Sequence, residues 1–314
     1  MARILTVTLN TALDLTHHVP ELVPHTSHRV TDVRERPGGK GLNVARVLSA
    51  LGHDTIVTGF AGGSTGEVLR TLLAAELPAD ALVPTAGNTR RTLAIVDAST
   101  GDTTQLNEPG PTISPSEWES FLLSYESQLS GGTAAVALCG SLPPGIHVGA
   151  YADLVRRARA AGVPVLLDTS GEPLLRGIAA RPDLVKPNSD ELFQLTGSRD
   201  AYAASAEARR KGAHAVVASL GPDGILASTD AGVWQATPPA LVRGNPTGAG
   251  DSAVAALLDG LVRGLPWPER IARAVALSAA TVAAPAAGEF DTETYASLLP
   301  QVKVTQRTAG PTLP

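Results

Sequence analysis

The chain has 314 residues, 43% of them hydrophobic, and a formal charge of −5, enough to bury a large core in one elaborated α/β domain. No long like-charged run marks a surface for nucleic acid or an anionic membrane, so the expected partner is a small molecule. A single cysteine, Cys139, excludes an intrachain disulfide framework and a cysteine-rich zinc site; with no signal-like or membrane-length apolar run, the expected location is the reducing cytoplasm.

Short β-branched or leucine-rich runs alternate with amphipathic ones, the pattern of crossover units around a parallel sheet. Core strands are expected at "RILTVTL" from Arg3, "TIVTGF" from Thr55, "AAVAL" from Ala134, "VPVLLD" from Val163, "DLVKP" from Asp183 and "AVVASL" from Ala215. Helical patterns lie at residues 42–51, 65–75, 115–129, 148–161 and 202–211. Ser64 with Glu67, and Ser114 with Pro115 and Glu117, stand at capping-box spacing and mark two helix starts. Residues 13–35 and 91–108 break the rhythm. They are extended, with turns and no helix, and read as inserted hairpins that form a small β-flap. Residues 1–302 read as one domain, and the tail 303–314 is expected to be disordered.

Two glycine-rich loops open into helices. "NPTGAGDS" from Asn245 sets Asp251 behind Thr247, Gly248, Ala249 and Gly250 and ahead of a long apolar run. Free backbone N–H groups and the positive end of a helix dipole attract anions there, so Asp251 is either a helix cap or a base beside a bound anion. "PGGKGLNVARVLSALG" from Pro37 is the second such loop, and neither loop matches the P-loop or the Rossmann fingerprint. "VKPNSDEL" from Val185 places Asn188 and Glu191 three apart. That pair suits an N-cap with its reciprocal glutamate, and equally a field of oxygen donors for Mg²⁺ held through water. "CGSLPPG" from Cys139 puts small polar groups at a strand's carboxyl end, where open α/β sheets bind ligands. His17, His18, His25 and His28 crowd one segment, but their irregular spacing and the lack of a nearby cysteine favour loop polarity over zinc.

The motifs "TLNTALD", "RPGGKGLNVARVL", "NTRRT", "CGSLPPG", "VKPNSDEL", "SLGPDG" and "NPTGAGDS" occur in this order across nearly the whole chain. Together they resemble the ribokinase-like carbohydrate kinases of the PfkB family, in the branch that holds 1-phosphofructokinase, tagatose-6-phosphate kinase and the minor 6-phosphofructokinase. The resemblance implies a three-layer α/β/α sandwich with a mostly parallel sheet, and makes the β-flap a lid over a sugar. It implies ATP as co-substrate, Mg²⁺ as metal and a ketohexose phosphate as acceptor, and leaves open a homodimer through the lid. Asp251 would be the base, with the N–H groups of Thr247 to Gly250 as an anion hole. Asp14, Gly38, Gly39, Lys40 and Asn43 would hold the sugar, and Arg29, Arg90 and Cys139 would face its phosphate. Lys186, Asn188, Ser219, Gly221, Gly224, Thr247, Ala276 and Ala280 would line the nucleotide, and Glu191 with Asn188 would organise Mg²⁺ through water.

Departures from the family pattern bear on the substrate. A lysine two places before Arg29 is Ser27 here, the glycine of "GSLP" is preceded by Cys139 where serine is usual, and an asparagine after the lid arginine is Thr92. These changes deplete the expected phosphate contacts and keep an unphosphorylated sugar or nucleoside as an alternative acceptor. A catalytically silent sugar-phosphate binding protein is a third reading, and retention of Asp251 counts against it.

Overall fold

The computed structural model describes residues 2–77 and 79–307. In chain order the first elements are β1 (Arg3–Thr8), β2 (Ala12–Val19), β3 (Asp32–Gly38), α1 (Lys40–Ala50), β4 (Asp54–Gly62), α2 (Gly63–Glu76), β5 (Asp80–Thr85), β6 (Arg90–Asp97) and β7 (Thr103–Asn107). The middle of the chain forms α3 (Pro115–Ser130), β8 (Ala135–Cys139), α4 (Ala150–Ala160), β9 (Val165–Asp168), α5 (Gly171–Ala179), β10 (Leu184–Val185), α6 (Ser189–Thr196), α7 (Ala201–Arg210) and β11 (Ala215–Ser219). It ends with β12 (Ile225–Thr229), β13 (Gly232–Thr237), α8 (Ala249–Val262), α9 (Trp267–Val282), α10 (Thr292–Leu298) and β14 (Lys303–Arg307).

The main sheet runs β14-β13-β12-β11-β10-β9-β8-β1-β4-β5. It is parallel from β5 to β11 and antiparallel from β12 to β14. Alternate side chains separate two helical layers, as the two-residue period of a strand dictates. Val136 and Leu138 of β8 join α3, α4, α5 and α7 on one face, whereas Ala135, Ala137 and Cys139 join α1, α8 and α9 on the other. The small residues of this second face let α8 lie close to the sheet; Asp251 to Gly260 are all buried in it. This is the three-layer α/β/α sandwich that the resemblance implies.

A second sheet, β3-β2-β6-β7, is built from the two segments that interrupt the βα rhythm. β2 and β3 form one hairpin and β6 and β7 another, joined by a parallel β2–β6 ladder in which Asp14 faces Thr92. Two expectations are corrected. Residues 303–307 are not a disordered tail: β14 pairs with β13, because β13 has an edge whose backbone groups need partners. Residues 308–314 lie outside the described residues. Ser64 and Glu67 make no capping box, since α2 starts earlier with Gly62 as its cap residue and places both inside the helix. Ser114 and Glu117 do form theirs.

Candidate active site

Two helix N-termini converge where β1, β8 and β9 end. α1 is entered through Gly39 at φ 118°, where a Cβ would lie 2.6 Å from the Thr8 methyl group. Neighbouring Gly38 leaves room for the Asp14 carboxyl, which a Cβ there would meet at 2.1 Å. α8 is entered through Gly248 in the left-handed region, φ 86°, and a Cβ at that position would press on Ala287 at 2.9 Å. Neither helix has a side-chain cap. Thr247 N–H donates to Asn245 Oδ1 at 3.0 Å and Ala249 N–H to Pro246 O at 3.1 Å. Of the expected anion hole, therefore, only Gly248 and Gly250 keep N–H groups without a partner among the described residues, joined by that of Asp251.

Asp251 is 6% exposed and sits in the first turn of α8. Asn43 Nδ2, from the first turn of α1, donates to its Oδ2 at 2.8 Å, and Oδ1 has no partner among the described residues. Burial, then the charge of Asp168, push the Asp251 carboxyl from an ordinary 3.8 up to about 6, against the pull of Lys40, Asn43 and Lys186. Asp168 ends β9, fully enclosed, with Lys40 Nζ 3.2 Å from Oδ2 and Lys186 Nζ 3.2 Å from Oδ1. Burial alone would raise its pKa, yet the two ammonium groups hold it below the usual range. Burial likewise opposes the charge of Lys40, but Asp168, Asp251 and Glu191 keep it firmly protonated. Two carboxylates and two ammonium groups thus balance in a site where only Lys40 is substantially exposed, with one carboxylate left poised to accept a proton.

From the second sheet, Thr92 Oγ1 donates to Asp14 Oδ1, so the residue that departs from the family pattern positions the Asp14 carboxyl. Burial raises the Asp14 pKa, with Thr92 and Arg90 opposing. Arg90 is anchored by Nε to Asn10 O at 3.2 Å and by Nη1 to Glu108 O at 3.3 Å. The other two expected phosphate contacts do not join it. Arg29 is exposed in the β2–β3 loop, which leaves the ladder past His18, about 13 Å along the strand from Asp14. The Cys139 side chain is fully buried among α1 and α8 residues, and burial pushes its thiol pKa well up.

Of the residues expected to line a nucleotide, Lys186 is buried and sits 3.6 Å from where a Gly250 Cβ would be. Asn188 and Ser219 are joined by a β-bridge, and Gly221 and Gly224 both hold positive φ, 60° and 88°. At Gly224 a Cβ would strike Ala236 O at 2.0 Å. Asn188 and Glu191 form the reciprocal cap: Asn188 Oδ1 accepts from Glu191 N–H and Glu191 Oε2 from Asn188 N–H, both at 2.8 Å. Glu191 Oε1 keeps no partner among the described residues. Ala276 and Ala280 are 1% and 0% exposed and face the core, not a ligand; Ser278 and Ala279 are the half-buried residues of that turn. In the histidine-rich segment, His28 Nε2 accepts from Val23 N–H at 2.8 Å and staples the loop. Among the described residues no three His, Cys, Asp or Glu side chains cluster to hold a metal directly.

Sequence reasoning passed over Asp168 and Arg46. A lone acid closing the apolar strand "VLLD" was the available signal for Asp168. The pfkB family carbohydrate kinase pattern matches residues 4–294. The chain belongs to the pfkB family of carbohydrate kinases. It is 39% identical to a 1-phosphofructokinase of Rhodobacter capsulatus over 284 residues, covering 88% of this chain and 90% of that one. It is 32% identical to a tagatose-6-phosphate kinase of Staphylococcus epidermidis over 309 residues, covering 96% and 99%. Among solved structures, phosphofructokinase-2 from Escherichia coli in complex with fructose-6-phosphate matches with a TM-score of 0.86 at 31% identity, covering 96% and 99%.

The electrostatics of this pfkB site give a signed expectation. Because the Asp251 pKa is raised from 3.8 to about 6, the folded state binds a proton that the unfolded state releases in that window, and stability falls as pH rises through it. Asp251→Asn should therefore be no more stable than wild type near pH 4 and increasingly more stable toward pH 7 in urea denaturation. Its turnover should drop by about 100-fold or more. A stability gap that ignores pH would contradict the assigned charge state.

Proposed function

We propose that the protein transfers the terminal phosphoryl group of ATP to a hydroxyl of a ketohexose phosphate, yielding a bisphosphate and ADP. The observation that carries this reading is Asp251 Oδ1, free and elevated in pKa, beside the unpartnered N–H groups of Gly248 and Gly250. Asp251 Oδ1 takes the hydroxyl proton as the sugar oxygen bonds to the terminal phosphorus. The bond to the bridging oxygen breaks, and the N–H groups and Lys186 face the charge on the transferred group. Asp14, Gly38, Gly39 and Asn43 hold the sugar hydroxyls. Arg90, anchored on two carbonyls, receives the acceptor's existing phosphate.

Mg²⁺ suits the donor set present. Glu191 is short of the phosphates but offers Oε1 as an oxygen donor through water, while its Oε2 is fixed by the cap. Bound there, the ion would neutralise phosphate charge. Ser219, Gly221 and Gly224 line the nucleotide. The second sheet acts as the lid, completing a sugar site whose residues are far apart in sequence.

A free sugar or nucleoside as acceptor is favoured by one observation, that Arg29 is exposed in the β2–β3 loop and the Cys139 thiol is fully buried. The lid also carries an apolar outer face. Leu15, Leu93 and Leu106 are in cross-strand register, and Val33 and Leu106 are more than half exposed. We assign this face to a homodimer through the lid, so Leu106→Asp should lower the sedimentation mass, and an unchanged mass would remove the interface.

An ADP-release assay over sugars and sugar phosphates tests the reaction. A ketohexose phosphate should be the best acceptor. Arg90→Ala should raise its apparent KM far more than that of ATP, and Glu191→Gln should raise the Mg²⁺ requirement with sugar affinity unchanged. Best turnover on a free sugar, or equal effects of Arg90→Ala on both substrates, would shift the assignment to the alternative acceptor. A normal Mg²⁺ dependence in Glu191→Gln would remove the metal role.

A further inference from the structure

Arg46, on α1 one turn beyond Asn43, is a buried cation that the reaction above does not use, and its side chain is only 7% exposed. Its guanidinium is held at three separate points. Nε donates to Glu76 Oε2 at 2.6 Å, Nη1 to Asn43 Oδ1 at 2.9 Å, and Nη2 to the Pro37 carbonyl. An arginine donates at every nitrogen and accepts at none. The Asn43 atom that faces it must therefore be the carbonyl oxygen, which turns the amide nitrogen toward Asp251. The same guanidinium ties down the carbonyl that precedes Gly38 and Gly39. Gly288 closes over the pair, where a Cβ would lie 3.1 Å from both Arg46 Cδ and Asn43 Oδ1. Glu76 also faces Arg36 of the lid strand β3 at 3.5 Å, and Arg36 reaches Glu289 at 2.6 Å.

We infer that Arg46 is a positioning residue: by fixing the orientation of the Asn43 amide it selects Oδ2 of Asp251 as the hydrogen-bonded oxygen and leaves Oδ1 as the proton acceptor. This rests on Asp251 being the base of the proposed phosphoryl transfer. Without the guanidinium, nothing holds the Asn43 carbonyl in place, and a rotated amide would present its oxygen to a carboxylate. The Asn43 hydrogen bond favours the ionised carboxyl, so its loss raises the Asp251 pKa. The other charged groups that face Asp251 are Lys40 from α1, Asp168 from β9 and Lys186 after β10, and none of them contacts Arg46 among the described residues. A charge-preserving Arg46→Lys supplies one point donor where three directed ones are needed, so it does not restore the arrangement.

The test reads the base itself. The ¹³C carboxyl resonance of Asp251, identified by its loss in Asp251→Asn, is titrated in wild type, Arg46→Met, Arg46→Lys and Glu76→Ala without substrate. The midpoint should move to higher pH in both Arg46 variants and by less in Glu76→Ala, which also serves if an Arg46 variant fails to fold. In an Asn43→Ala background, Arg46→Met should add almost no further movement. In turnover assays kcat should fall by about 10- to 100-fold, as for a misplaced catalytic group, with KM for ATP unchanged and the acidic limb of the profile displaced in the same direction. An unmoved midpoint, full rescue by Arg46→Lys, or additive effects in the Asn43→Ala background would overturn the role of Arg46. A wild-type enzyme that turns over no sugar phosphate would instead overturn the proposed reaction, leaving the titration to decide the positioning.

Discussion

The hydrogen bond from Asn43 Nδ2 to Asp251 Oδ2 spans 208 residues of sequence and joins the first turns of two uncapped helices. Each helix alone would end in backbone N–H groups waiting for water or an anion. Brought together, the two ends form one electropositive pocket, and the carboxylate of one is steered by the amide of the other. The small residues on that face of the sheet serve the same end, since Ala135, Ala137 and Cys139 let α1 and α8 approach closely enough for the side chains to meet. The glycines at 39 and 248 follow from it too, because both loops must turn through positive φ before their helices begin.

Charge balance is the second constraint. Asp168 and Asp251 are both nearly inaccessible, and two bare carboxylates in such a place would not both stay ionised. Lys40 and Lys186 settle the matter unevenly: both lie 3.2 Å from Asp168, while Asp251 receives a neutral amide instead. One acid is thereby locked as an anion and the other left to exchange its proton. The cost in stability is borne by a core in which α8 is enclosed on every side.

What the sequence disclosed follows from what is local. The parallel strands announced themselves as apolar runs because both faces are covered, and the glycine-rich loops because their backbone demands particular residues. β5, α5 and the β12–β13 hairpin went unread. β5 carries Pro84 at a sheet edge, α5 is a nine-residue helix with proline in its first turn, and the hairpin's alternation was shadowed by the turn "GPDG" before it. β14 depends entirely on the edge of β13. In the site, Asn43 and Asp251 were legible because each follows a glycine loop, but Arg46 looked like one more polar residue on a helix, and only the meeting of α1, α2 and the Pro37 loop gives it partners. Ala276 and Ala280 show the reverse, since expecting a helix beside a site does not say which of its faces is buried. Thr92 looked like a loss and is instead the donor to Asp14.

A crystal structure of the protein with a ketohexose phosphate and a non-hydrolysable ATP analogue would test this account most directly. The account predicts the acceptor hydroxyl within hydrogen-bond distance of Asp251 Oδ1, the terminal phosphate against the N–H groups of Gly248 and Gly250, and Asn43 Nδ2 still on Oδ2. A hydroxyl directed instead at Asp14 or Asp168, with the terminal phosphate away from the start of α8, would contradict it.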